Sequence, residues 1–382
     1  MARTPPRPSA AAVALAGLVA LAVAMGIGRF AFTPILPMMQ EDAGVSISMG
    51  GWLASSNYLG YLLGALSVIW RRIRATTAIR AGLVTIGLAT LAMGLEHRFA
   101  GWLLLRAVAG VASAWVLIYV SAWCLERLAS LPRPALNSTV FAGVGAGIVL
   151  AGALCLALMH VHAGSARAWI VLGVLSVVLS AGIWPVFGAG DDAPPTNAGR
   201  PARRAIAWDR EALRLVLCYG AFGFGYIIPA TFLPVMAKQV IQDPAVFGWS
   251  WPVFGAAAMG STLATGMLRS VVSNRRLWIA SHLLMAFGVA LPVVWSGIAA
   301  IMIAALFVGG TFMVITMVGM QEARDVAGTH ATGLMAALTS AFALGQIVGP
   351  VIVSYVVAAS GSFSVALMIA SAVLVVSAYE LS

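Results

Sequence analysis

The stretch GIGRFAFTPILPMM, residues 26–39, returns 197 residues later as GFGYIIPATFLPVM, residues 223–236. Gly26, Gly28, Leu36, Pro37 and Met39 fall on Gly223, Gly225, Leu233, Pro234 and Met236. The register continues without a gap through Gly51-Trp52 on Gly248-Trp249, Leu66 on Leu263 and Arg72 on Arg269. Identities are few, but they concentrate on Gly, Pro and Trp, and the loop between them keeps its length. Two copies of one unit are expected, and the sequence around the match sets the character of that unit.

That surrounding sequence is apolar. Of 382 residues, 61% are hydrophobic and 9% charged, against roughly 25% charged in an ordinary soluble domain. Twenty-two basic and 12 acidic residues cannot coat a water-soluble fold of this size. A soluble globular protein, a disordered chain and a secreted disulfide scaffold are excluded. About 20 apolar residues cross a bilayer core. Runs of that size lie near 10–37, 49–69, 78–95, 102–124, 137–159 and 166–187. Six more lie near 213–237, 249–268, 277–296, 298–320, 331–356 and 362–380. The first run, led by Arg3 and Arg7, is too long for a signal-peptide core and is followed by others. Between the sets stands GAGDDAPPTNAGRPARRAIAWDRE, Gly188–Glu211, whose Pro, Gly and charge mark a linker. The expected fold class is an all-α membrane protein of twelve transmembrane helices. Its domains are two six-helix bundles, 1–187 and 213–382, joined by a linker at 188–212.

A net charge of +10 raises the question of nucleic acid, and the distribution answers it. Seventeen of the 22 basic residues fall in alternate loops, the N-terminus, the linker or adjoining helix ends, whereas only Arg98, Arg167 and Lys238 fall on the other side. That asymmetry is the positive-inside pattern. It places both termini and the linker in the cytoplasm of a multi-pass inner (plasma) membrane protein. A shift of six spans preserves orientation, so the repeats are parallel. Two parallel halves suit a transporter that rocks about a substrate near the midplane. Gly28, Gly225, Pro34, Pro37, Pro229 and Pro234 are expected to let the first and seventh helices bend.

The layout resembles the major facilitator superfamily over essentially the whole chain. RAVAG, Arg106–Gly110, resembles the family's fourth-helix motif. GVGAGIVLAG, Gly143–Gly152, resembles its glycine-rich fifth helix, and GQIVGP, Gly345–Pro350, the counterpart on helix eleven. GRFAFTPILPMM and ASSNYLGYLLGAL are most similar to the YbfB/YjiJ-type branch, whose members carry sugar- or drug-efflux labels. The resemblance implies a permease by alternating access, with a packing or coupling role for Arg106 and Gly110. One stretch departs from the pattern. In GALSVIWRRIR, Gly64–Arg74, Val68 stands where the family carries Asp, which removes the usual charge relay. It leaves Arg71 and Arg72 to meet helix ends or anionic headgroups.

Candidate functional residues are scarce in the spans, which hold no Asp or Glu away from their ends. Arg29 is the sharpest signal. It lies eight residues before Pro37, roughly 12 Å from the outer end of its helix at 1.5 Å per residue, and a guanidinium at such depth is costly without a partner. Two readings stand: Arg29 snorkels or bonds neighbouring carbonyls, or it pairs with an anionic group on the substrate, such as a carboxylate. The repeat sets Tyr226 opposite it, as a second donor or as packing. Trp115 and Tyr119 share a helix face, as do Asn57 and Tyr61, with Tyr58 beside them. The first pair lines a cavity or packs against lipid or a neighbour, and the second makes a polar face for the substrate. Gln346 needs a hydrogen-bond partner in lipid, whether helix, water or ligand. Arg106, four residues into its span, is expected to snorkel outward or to brace helices. His282 and His330 are expected at the interface. His160 and His162 are two ligands without a third and make no metal site. Cys124, Cys155 and Cys218 form no disulfide or metal framework. No cofactor is implied. The expected partners are a small-molecule substrate and membrane lipids, with no nucleic acid, and the chain is expected to be monomeric. The rival reading is a non-transporting scaffold or receptor on the same fold. A membrane enzyme ranks behind both, for want of clustered acids, bases or ligands.

Overall fold

A computed structural model of the chain describes residues 8–70, 73–129, 134–188, 208–240, 244–268, 271–295, 297–360 and 362–382. Regular structure among these residues is helical throughout. In chain order the first elements are α1 (Ala10–Asp42), α2 (Ile47–Trp70), α3 (Ala75–Leu95), α4 (Phe99–Leu128), α5 (Pro134–His160) and α6 (Ser165–Ile183). After the linker come α7 (Arg210–Val240), α8 (Pro244–Leu268), α9 (Asn274–Val294), α10 (Ile298–Ala327), α11 (Ala331–Ser360) and α12 (Phe363–Glu380). Arg71, Arg72, Arg269 and most of the linker lie outside the described residues.

Nine stretches of the described residues are long and apolar enough to cross a bilayer. One of them, Ala299–Val353, contains both α10 and most of α11. In α2, Ser55, Ser56, Asn57 and Tyr58 dilute the apolar run. The chain is a multi-pass helical membrane protein.

Helix pairing follows one rule twice. α1 packs on α4 and α5, α2 on α4, and α3 on α4 and α6. Likewise α7 packs on α10 and α11, α8 on α10, and α9 on α10 and α12. Two further seams, α5 with α8 and α2 with α11, join the first six helices to the last six.

The glycine stretches explain the seams. Lipid tails are as apolar as leucine, so helices associate in a membrane largely through close van der Waals approach, which small residues allow. A Cβ at Gly143 or Gly147 would strike the α1 backbone at Leu18 or Ala22, and one at Gly26 would strike Gly147. On the opposite face of α5, Gly145 and Gly152 lie against Met259 and Pro252 of α8, and Gly255 answers from α8 against Val149. Gly345 and Gly349 seat α11 on Gly220, Phe224 and Ile227 of α7 in the same manner.

The basic end is tied by charge. Glu211 at the start of α7 pairs with Arg214 and with Arg275 of α9, and Arg275 also reaches Glu322 of α10 at 3.4 Å. Arg324 of α10 donates to the Leu125 carbonyl of α4 at 3.2 Å, a bond between the first six helices and the last six.

Candidate functional site

α1 is not a uniform helix. Ala10–Leu21 and Phe32–Asp42 are α-helical, and the segment between them, Ala22–Phe30, is wound as a π-helix. A π turn takes up an extra residue and leaves carbonyls at its junction with the α-helix poorly partnered; such segments are frequent at functional sites. Arg29 lies in the last turn of this one.

Arg106 serves that junction. Its Nη1 donates to the Gly28 carbonyl at 3.3 Å, its Nη2 to the Arg29 carbonyl at 3.4 Å and its Nε to the Leu53 carbonyl of α2 at 3.5 Å. The guanidinium carbon sits 4.5 Å from the Phe32 ring centroid. Arg106 is 3% exposed, so it takes the bracing route rather than the snorkelling one. Asn57 extends the brace: its Nδ2 donates to the Arg106 carbonyl at 3.0 Å. Gly110 permits it, since a Cβ there would strike the Asn57 carbonyl and stand 2.8 Å from the Tyr61 nitrogen.

Arg29 itself is 3% exposed. Its Nη2 donates to Oε1 of Gln346, across the seam between the first six helices and the last six. Its guanidinium carbon lies 4.1 Å from the Tyr61 ring centroid, 5.3 Å from Tyr58, 5.5 Å from Phe30 and 5.8 Å from Phe342. None of the ion pairs among the described residues involves Arg29. Two of its nitrogens, Nε and Nη1, find no hydrogen-bond acceptor, and Nε2 of Gln346 is likewise without a partner.

Beyond Phe342 the aromatic wall continues. Tyr226 stacks on Phe312 with centroids 5.1 Å apart and on Phe342 at 6.2 Å. Phe30 meets Phe312 at 5.9 Å and Trp251 at 6.3 Å. Tyr226 therefore joins the site through rings and is not among the groups around the guanidinium. Trp115 and Tyr119 stand apart. Trp115 donates from Nε1 to Oγ of Ser67 at 2.8 Å, and Tyr119 is buried in the core. His282 is fully buried among the helices, with Nδ1 3.2 Å from the Trp278 carbonyl. His330 is exposed in the turn before α11. Among the described residues no cluster could hold a metal ion.

Phe30, Phe312, Phe342 and Trp251 escaped the reading of the sequence. Phe342 had a signal: it sits four residues before Gln346, on the same helix face. Phe312 and Trp251 had none, because an aromatic in an apolar span is indistinguishable from packing.

Paired helix seams with a polar group sealed between them suit a membrane transporter. The family model for the uncharacterised MFS-type transporter YbfB matches residues 21–381, and the chain belongs to that family. It is also 25% identical over 283 residues to the uncharacterized MFS-type transporter YceJ of Bacillus subtilis (strain 168). That alignment covers 69% of this chain and 70% of the relative. The family is one of transporters rather than enzymes.

Proposed function

We propose that the protein is a secondary transporter that moves a small organic solute bearing an anionic group across the inner membrane by alternating access. Its two units, 1–187 and 213–382, act as parallel six-helix pseudo-repeats of a twelve-span fold. The 188–212 linker and both termini are cytoplasmic, and the chain works as a monomer surrounded by lipid, without nucleic acid. The helix pairing that recurs at an interval of six elements supports the repeat. The Arg324 bond to Leu125 supports closure at the cytoplasmic end.

One observation carries the substrate reading. Arg29 is a buried cation on the seam between the units, and no ion pair among the described residues neutralises it. A carboxylate on the solute supplies the opposite charge and two acceptor oxygens, where a neutral solute supplies no charge. Arg29→Lys keeps the charge and loses the planar fork. In proteoliposomes, uptake of radiolabelled organic acids is expected to exceed that of their amides, to fall in Arg29→Lys and to fall further in Arg29→Ala. Uptake that ignores both substitutions sinks the assignment of Arg29. No uptake of any solute returns the rival, a scaffold or receptor on the same fold.

A further inference from the structure

The groups left without a partner on Arg29 and Gln346 are donors. Nε and Nη1 of Arg29 and Nε2 of Gln346 have no acceptor, and Oε1 of Gln346 already accepts one hydrogen bond from Arg29. A buried donor without an acceptor costs free energy of the order of a lost hydrogen bond. The arrangement is therefore well satisfied by a ligand head rich in acceptors. An ionised carboxylate has that character: it presents two acceptor oxygens and no donor. A sugar hydroxyl accepts as well, but it is neutral and sets no charge against the guanidinium. An ammonium group brings three protons and a positive charge beside Arg29 and Arg106, with no carboxylate paired to either among the described residues.

The walls restrict the rest of the ligand. Tyr58, Tyr61, Phe30 and Phe342 ring the guanidinium, and Phe342 leads into the Tyr226 and Phe312 stack. Ring faces accommodate a flat apolar body, which stacks in offset or edge-on contact.

Resting on the anion reading of Arg29, we infer that the ligand is a monocarboxylate with a flat apolar or aromatic body and no amine, and that Gln346 is its second hydrogen-bond donor. The carboxylate accepts from an open nitrogen of Arg29 on α1, Nε or Nη1, while its other lone pairs accept from Nε2 of Gln346 on α11. One head group thus touches both units, so its binding is sensed on each side of the seam.

The test uses the full-length protein purified in detergent, with benzoate as the probe and benzamide, benzylamine and 4-(aminomethyl)benzoate as controls. A ligand bound to the native state raises the melting temperature in a dose-dependent way. Benzoate is expected to do so, and the three controls to fail. Gln346→Ala is expected to weaken benzoate about tenfold, the loss of one hydrogen bond to a charged group. Gln346→Glu, which tethers a carboxylate beside Arg29, is expected to abolish the benzoate response while raising the unliganded melting temperature. Equal responses to benzoate and benzamide overturn the inference, as does a benzoate response unchanged in both Gln346 variants. Acetate and inorganic phosphate separate the two levels of the argument. If either stabilises the wild type but not Arg29→Ala while benzoate does nothing, the anion site stands and the flat monocarboxylate is overturned. If no anion acts through Arg29, both readings fall, and flux in proteoliposomes still decides whether the protein transports.

Discussion

Two guanidiniums lie buried with no carboxylate partner for either among the described residues, and they have opposite fates. Every nitrogen of Arg106 is spent on a backbone carbonyl, so it acts as a brace. Arg29 is spent on one side-chain oxygen, and two of its nitrogens remain open. The difference is testable at the residue itself. Arg106→Lys cannot span three carbonyls with one ammonium, because a lysine offers a point charge where arginine offers a planar fork. It is expected to lower unfolding stability by about 1–3 kcal/mol, the cost of leaving buried polar groups unsatisfied, as read by thermal unfolding in detergent. A melting temperature equal to that of the wild type would remove the bracing role.

At the scale of the element, glycine spacing decides which helices touch. Gly110→Ala puts a methyl group into the Asn57 carbonyl. Overpacking of this kind typically costs about 1–3 kcal/mol, and α4 should part from α2. Gly51 makes the control, since a Cβ there meets nothing within 4 Å. Gly51→Ala is expected to be neutral or to stabilise by up to about 1 kcal/mol through helix propensity. Equal melting temperatures for the two variants would count against the seam.

The start of α4 supplies a pH-dependent element. The Glu96 carboxylate accepts from the His97 and Arg98 backbone N–H groups, both at 2.8 Å. Those bonds, Arg98's first, hold its pKa below the ordinary value of 4.5. A folded-state value below the unfolded one means that the contribution is complete above the unfolded pKa and is lost as pH falls through the folded one. The melting temperatures of wild type and Glu96→Gln should therefore differ at neutral pH and converge on acidification. A difference that persists unchanged at low pH argues against the cap.

At the scale of the whole molecule the claim is topological. Single cysteines placed in the 191–209 linker, in a background lacking Cys124, Cys155 and Cys218, should resist an impermeant reagent in intact cells and react once the membrane is opened. Labelling in intact cells reverses the orientation, and with it the assignment of the Glu211–Arg275–Glu322 cluster and the Arg324–Leu125 bond to the cytoplasmic end.

The sequence by itself determined that the protein is a helical membrane protein, because composition and run length are local properties that a bilayer reads directly; its resemblance to the major facilitator superfamily rested on motifs such as RAVAG and GQIVGP, and the family model bears it out. The sequence also singled out Arg29, Gln346, Tyr61 and Asn57, since a charged or polar group in an apolar run is conspicuous wherever it points. It could not divide the work among them. Only the tertiary structure decided that Asn57 and Arg106 stitch α2, α4 and α1 together, that Gln346 meets Arg29 across the seam, and that Trp115 turns to Ser67 instead. The π winding of Ala22–Phe30 was equally hidden. It depends on a neighbouring helix offering Arg106 to the freed carbonyls, and that partner lies 77 residues beyond Arg29 in the chain.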